Sequence, residues 1–311
     1  MTTGTDKIYK MVTDQIIEAL EANVVPWHKP WAETGSPQNA ITKRNYTGIN
    51  RILLQSSKYS DPRWLSYKQA AAKGGNVRKG EASTIITFWK RFTSHDKATC
   101  PGKQICENTN ANGFPVGTNC KRFGMLRYYR VFNVEQCDGL KLEPMTDGET
   151  PDPIDIHTEA QAILDDYVER EDGLSLQHGC DGGCGNAGGA HYIPSLDIIH
   201  LPKRDTFTTM EGYYATAFHE AGHSTGTPDR CKRKDWTGEY TKHSGGRSRE
   251  ELVAEFTAAF VSEATGIDNR LEHDQHVAYI AGWLKHLKDN PKWAVEAAGY
   301  AQKAADRILN A

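Results

Sequence analysis

The chain has 311 residues, 38% of them hydrophobic and 25% charged, which leaves room for two domains with ordinary cores. No apolar run is long enough for a membrane span, and the opening Met1-Thr-Thr-Gly-Thr-Asp-Lys lacks the hydrophobic centre of an export signal. A cytoplasmic protein with no membrane partner is therefore expected, its seven Cys being free thiols. The net charge of −3 conceals a split, with 21 Lys+Arg against 12 Asp+Glu up to residue 145 and 16 against 28 beyond it. A basic half joined to an acidic half points to a polyanion as partner of the first.

The basic half, residues 1–145, opens with an amphipathic helix over 7–20 that stops before Val24-Val25-Pro26. Strands are expected at Thr84–Trp89 and Leu126–Val134, with a surface loop over 93–124 between them. Aromatic and basic residues interleave in Trp27-His28-Lys29-Pro30-Trp31, Arg44-Asn45-Tyr46, Arg63-Trp64, Lys68, Arg78-Lys79 and Lys90-Arg91. Such strings suit single-stranded DNA, because an unpaired base stacks on an aromatic face while cations follow the phosphates. A duplex reader would show a recognition helix, and none is visible. Cys100, Cys106, Cys120 and Cys137 lack the paired spacing of a structural zinc site.

The acidic, Pro-rich stretch from Glu143 to Pro153 reads as a linker, and residues 146–311 form the second expected domain. Its Gly-rich stretch over 179–189, with Cys180 and Cys184, reads as a surface loop. From Met210 a helical period leads into His219-Glu220-Ala221-Gly222-His223, an H-E-x-x-H whose helix is stopped by Gly226 and Pro228. Positions i and i+4 share a helix face, so both imidazoles can reach one metal ion while Glu220 meets a water on it as general base. Gly222 inside the motif implies close approach of another segment. A catalytic zinc needs a third protein ligand, and Glu251 is preferred over Asp229 and Glu250. Glu251 lies on a helical run over 248–260, with Glu255 one turn on to accept a hydrogen bond from a ligand imidazole. Zinc suits two His and a carboxylate, with manganese or cobalt as alternatives. For the oxyanion, candidate donors are Tyr192, Tyr213, His273 and His276, the last preferred because it opens the helix around Val277–Leu284.

Taken together, Val25-Pro26-Trp27-His28-Lys29-Pro30-Trp31, Tyr46-Thr47-Gly48-Ile49-Asn50, Tyr129-Arg130-Val131-Phe132-Asn133-Val134, Phe218-His219-Glu220 and Glu250-Glu251-Leu252-Val253-Ala254-Glu255 carry a likeness over almost the whole chain. The sequence resembles the ArdC-type antirestriction proteins of conjugative plasmids, and also the N-terminal part of some plasmid primases. The resemblance implies an α+β fold: an N-terminal single-stranded-DNA-binding domain of helices and antiparallel sheet, then a mainly helical zincin-like metallopeptidase domain. It also implies that incoming plasmid DNA is guarded against host restriction. Two functions fit. One is a DNA-bound protease acting on a host protein such as a restriction enzyme; the other is a DNA-shielding protein whose metal is structural or vestigial.

Overall fold

A computed structural model describes residues 4–22, 24–27, 35–94, 121–143, 153–179, 189–233, 245–268 and 276–311, with side chains characterised for all of these except 91–94, 121–123, 153–156, 245–248 and 276–281. The first helix, α1 (Gly4–Glu21), buries Ile8, Val12, Ile16 and Leu20, a four-residue spacing that places one stripe against the core. Two short helices follow, α2 (Ile49–Gln55) and α3 (Tyr67–Ala72). The start of α3 is fixed by Ser66, which accepts from the Gln69 amide while the Gln69 side chain accepts from the Ser66 amide.

Four strands form the main sheet in the order β1 (Gln38–Asn39), β2 (Arg63–Leu65), β5 (Lys121–Asn133), β4 (Thr84–Ser94), antiparallel except for the β1–β2 pair. The expected loop over 93–124 is narrower than the sequence suggested: β4 runs on to Ser94 and β5 begins at Lys121, because both ends keep pairing, Ser94 opposite Lys121. Residues 95–120, with Cys100, Cys106 and Cys120, lie outside the described residues, while Cys137 is a free thiol on β6 (Cys137–Asp138), which pairs with β3 (Asn76–Val77). Asn50 joins α2 to the sheet, donating to the Thr87 carbonyl at 2.8 Å and accepting from its amide at 2.6 Å.

The second half is helical around a small sheet. Helix α4 (Pro153–Arg170) starts on proline, whose missing N–H costs nothing in a first turn. The strands β7 (Ser175–His178), β8 (His191–Ile193) and β9 (Ile198–Leu201) pair in the order β7-β9-β8. Then come α5 (Met210–Ser224), α6 (Gly245–Thr265), α7 (His276–Asp289) and α8 (Trp293–Ile308). None of the described helices is long and apolar enough to cross a membrane.

One continuous core joins α1, Trp27, α2, Ile85 and Leu126 to α4, α5, α6 and α8. Trp27 sits at its centre, fully buried, edge-on to Phe256 at 4.8 Å and to Trp283 at 5.1 Å between ring centroids. A residue expected to stack on DNA is therefore a core residue, since its ring is apolar enough to be spent on packing across the two halves. A buried ion pair reinforces the same junction: Arg51 on α2 meets Glu263 near the end of α6, and Gln55 donates to that carboxylate at 2.8 Å.

Candidate metal centre

The site is assembled by two helices that cross closely. Thr209 caps α5, its hydroxyl accepting from the Gly212 amide, and the buried face of the helix carries Tyr213, Ala217, Phe218 and Ala221. At Gly222 an added Cβ would lie 3.1 Å from the Thr257 side chain and 3.2 Å from the Ala254 backbone, so the segment the glycine admits is α6. That contact is what holds the carboxylates of α6 over the imidazoles of α5.

Three atoms converge there. His219 Nε2 and His223 Nε2 are 3.1 Å apart, and Glu251 Oε2 stands 3.4 Å from the first and 3.6 Å from the second. Donors about 2.0–2.1 Å from a tetrahedral ion are separated by about 3.3 Å, so the triangle has the size a zinc-like ion requires. Among the described residues this is the one cluster of His, Cys, Asp and Glu with ligand atoms close enough to share an ion. The far nitrogens are also engaged: His219 Nδ1 faces Glu255 Oε1 at 3.5 Å, and His223 Nδ1 faces Glu250 Oε1 at 3.3 Å. With Nδ1–H turned to a carboxylate on each ring, both Nε2 lone pairs point inward with the Glu251 oxygen, a donor set that calls for a cation.

Electrostatics agree. Burial would depress both imidazoles, yet the surrounding carboxylates outweigh it, so His219 is raised and His223 is pushed up to about 10. Burial would likewise raise Glu251, but the neighbouring imidazoles hold it well below the usual carboxylate range. Without metal the surrounding carboxylates favour the protonated form of the two imidazoles.

The expected second carboxylate, Glu255, lies against His219. Glu250, considered from sequence as a ligand, instead lies on the outer nitrogen of His223, and Asp229 is exposed in the turn after α5, outside the cluster. Sequence reasoning missed Arg233. Its guanidinium is buried, donates through Nε to Glu250 Oε2 at 3.0 Å and closes a second bond to Oε1. It also donates to the Gly222 and His223 carbonyls at 2.9 and 3.2 Å, so it caps the end of α5 while aiming Glu250 at the ring. The only signal in the sequence is one more cation in the basic run Arg230-Cys231-Lys232-Arg233-Lys234 after the motif.

Two oxyanion candidates are engaged elsewhere. The Tyr192 hydroxyl donates to Asp197 at 2.6 Å, and that of Tyr213 pairs with His178 at 2.7 Å, both rings being buried. His276 is the first residue of α7, with its side chain outside what is characterised, and His273 lies outside the described residues. Glu220 is buried beside His219 and His223 on α5.

The expected DNA contacts are scattered. Trp64 is buried under the sheet with Leu54 and Val131, so neither it nor Trp27 offers a stacking face. Arg63 is held by Asp61 at 2.7 Å and by the Glu143 carbonyl at 2.7 Å, which assigns it to the fold. Arg78 pairs with Glu81 at 3.0 Å and Asp138 at 3.3 Å, so its charge is largely answered by the chain itself. Tyr46 is half-buried against the Trp64 cluster; Arg44, Lys68 and Lys79 are exposed; Lys29 and Trp31 lie outside the described residues.

Comparison with known proteins follows the same division. Residues 6–132 match the N-terminal domain of anti-restriction factor ArdC, and residues 176–300 match a zincin-like metallopeptidase. Two Escherichia coli proteins named DNA primase TraC are 35% and 37% identical over 97% of this chain, which spans only 27% and 20% of their length. The y4eC protein of Sinorhizobium fredii (strain NBRC 101917 / NGR234) is 30% identical over 98% of this chain and 92% of its own. Crystal structures of the antirestriction ArdC protein from plasmid R388, metal-free and Mn(II)-bound, share 30% identity, cover 97% of both chains and superpose with a TM-score of 0.69. The chain belongs to the ArdC antirestriction family, an ArdC-type N-terminal domain followed by a zincin-like metallopeptidase domain.

Proposed function

We propose that this antirestriction protein binds single-stranded DNA through its basic half and cleaves a host protein, such as a restriction enzyme, with the site on α5 and α6. The observation that carries the reading is the buried Glu220 between two histidines whose inward nitrogens converge with Glu251, three protein donors among the described residues. A purely structural site commonly closes with four ligands and has no use for a general base. Zinc is the metal proposed, with manganese or cobalt accepted by the same donors; a relative from plasmid R388 has been crystallised with Mn(II).

His219, His223 and Glu251 would hold the ion. Once bound, it would lower the pKa of its water to about 7 and polarise a scissile carbonyl. Glu220 takes the proton from the attacking water and delivers it to the departing amine nitrogen. Glu255 and Glu250 keep the two rings oriented, and Arg233 keeps Glu250 in place.

The test compares wild type with Glu220→Gln for metal content, single-strand binding, proteolysis and protection of plasmid DNA during transfer. The expected variant keeps metal and DNA binding but loses cleavage and protection. Full protection by a variant unable to cleave would favour the second reading, a shield whose metal is structural.

A further inference from the structure

Of the eight large hydrophobic side chains exposed among the described residues, five lie on the β4–β5 hairpin: Phe88, Trp89, Met125, Tyr128 and Tyr129. The reason is topological. One side of the hairpin packs into the central core through Ile85 and, further along opposite Trp89, Leu126, while on the other side Val131 packs at the base onto Trp64 and Leu54. Pairing continues rung after rung past Thr87, Phe88 opposite Arg127 and on to Ser94 opposite Lys121; Leu126, opposite Trp89, keeps one face on the core while the face that carries Phe88, Tyr129 and Met125 stands in solvent.

Side chains alternate between the two faces of a ribbon, so directly paired residues share a face. One face carries Ile86 with Tyr129, Phe88 with Arg127, and Lys90 with Met125. Phe88 is 58% exposed, Tyr129 50% and Met125 37%, and both cationic residues, Lys90 and Arg127, are also exposed. Aromatic rings standing in water beside cations are costly unless something covers them, and at the base of this face Tyr46, Tyr59 and Trp64 continue the aromatic row into the fold.

We propose that this face of the ribbon is the stacking platform for single-stranded nucleic acid, a surface that rests on the DNA-binding reading above and gives it an address. The occupant follows from charge and spacing. Successive rungs on one face are about 6.8 Å apart, so a single strand drawn out to about twice its duplex rise of 3.4 Å sets one base per rung. Phe88 and Tyr129 offer π-faces to two bases, while Arg127 and Lys90 stand where the phosphates pass. The face belongs to the half with the basic excess. The interleaving expected around Trp27 and Trp64 is thus realised on the hairpin, where the rings are outside.

The experiment measures anisotropy of a labelled oligothymidylate against the full chain across a salt series, for wild type, Phe88→Ala, Tyr129→Ala, Arg127→Ala and, as control, Leu196→Ala on the β8–β9 turn, itself 62% exposed. Thermal unfolding of each variant checks the fold, which solvent-exposed truncations leave intact. The expected result is a loss of about tenfold in affinity for each ring removed and a salt slope lowered by about 0.7 for Arg127→Ala, with Leu196→Ala unchanged. Wild-type affinity and slope in all three ribbon variants, with wild type itself binding, would overturn the platform and leave the DNA-binding reading standing. Failure of wild type to bind would overturn both. Loss of self-association or of a protein contact in the ribbon variants, without change in DNA affinity, would make the face a protein interface and also overturn the proposal.

Discussion

Gly222→Ala isolates the contact that builds the metal centre. On propensity alone, replacing a helical glycine by alanine stabilises by about 1 kcal/mol. Here the new methyl would lie 3.1 Å from the Thr257 Cβ and 3.2 Å from the Ala254 Cα. Carbon atoms settle at about 3.5–4.0 Å, so α5 and α6 must part by a few tenths of an ångström, at the cost of about 1–3 kcal/mol typical of overpacking. The net expectation is a loss of about 1 kcal/mol. The displacement has a direction as well: it leaves the 3.1 Å spacing of the two imidazoles, both on α5, and lengthens the 3.4 and 3.6 Å distances to Glu251 on α6. Metal sites tolerate about ±0.2 Å, so affinity falls by about tenfold or more. Gly299→Ala on α8, where nothing lies within 4 Å of the added methyl, supplies the control and should gain the full propensity term. Chemical denaturation of the metal-free protein gives the stabilities, and competition with a chromophoric chelator gives the affinities. If Gly222→Ala were stabilised as much as Gly299→Ala and bound metal as tightly as wild type, the account of how the helices place the carboxylate would be refuted.

Arg233→Lys keeps a positive charge but loses the fork that grips Glu250 and the end of α5, so metal affinity should drop about 10–100-fold by calorimetry; an unchanged affinity would show that Glu250 needs no clamp. Trp27→Ala should lower stability by about 3–5 kcal/mol in denaturant titration, as loss of a fully buried ring does, and a stability within error of wild type would contradict its place between Phe256 and Trp283. Metal uptake should release protons, because His223 titrates near 10 in the metal-free cluster and must bind as the neutral imidazole, so affinity should rise with pH through the neutral range; calorimetry in buffers of different ionisation enthalpy reads the proton count. For the metal-free fold the sign is the reverse. The raised His223 contributes stability fully below its unfolded value of about 6.5 and loses it as pH climbs towards 10, and urea midpoints independent of pH over that window would count against the ion cluster.

How far these arrangements could be read in advance depended on the range of the interaction. His219 and His223 converge because a helix brings i and i+4 together, and Glu251 and Glu255 follow the same rule on α6, so only the pairing of two helices had to be guessed. Gly222 hinted at that pairing without naming the partner. Arg233 could not be anticipated, since nothing local distinguishes an Arg that turns back onto a helix end from one in solvent. The aromatic strings failed for a related reason: Trp27 and Trp64 sit among cations in sequence, yet burial is decided by distant residues such as Phe256 and Leu54. Conversely Thr84–Trp89 is legible as a strand, but an apolar residue on both faces reads as a buried strand, and only the packing of the hairpin shows that Phe88 and Trp89 are outside while Ile85 and Leu126 stay in the core.

The same long-range contacts make the two halves one mechanical object. Helix α6 carries Glu250, Glu251 and Glu255 at one end and Glu263 at the other, about 18 Å away at 1.5 Å per residue. At the far end Glu263 is buried against Arg51 and Gln55 of α2, and α2 is tied through Asn50 to Thr87 on β4, the rung before Phe88. Removing either partner of a buried ion pair leaves an uncompensated charge, so the junction resists sliding more strongly than an apolar contact of equal area. The β4–β5 ribbon and the His219–His223–Glu251 cluster are thus both tied to one helix, with Trp27 packed against it at Phe256. The sequence shift at residue 145 marks a change of charge and composition, whereas the packing that positions the chemistry runs straight across it.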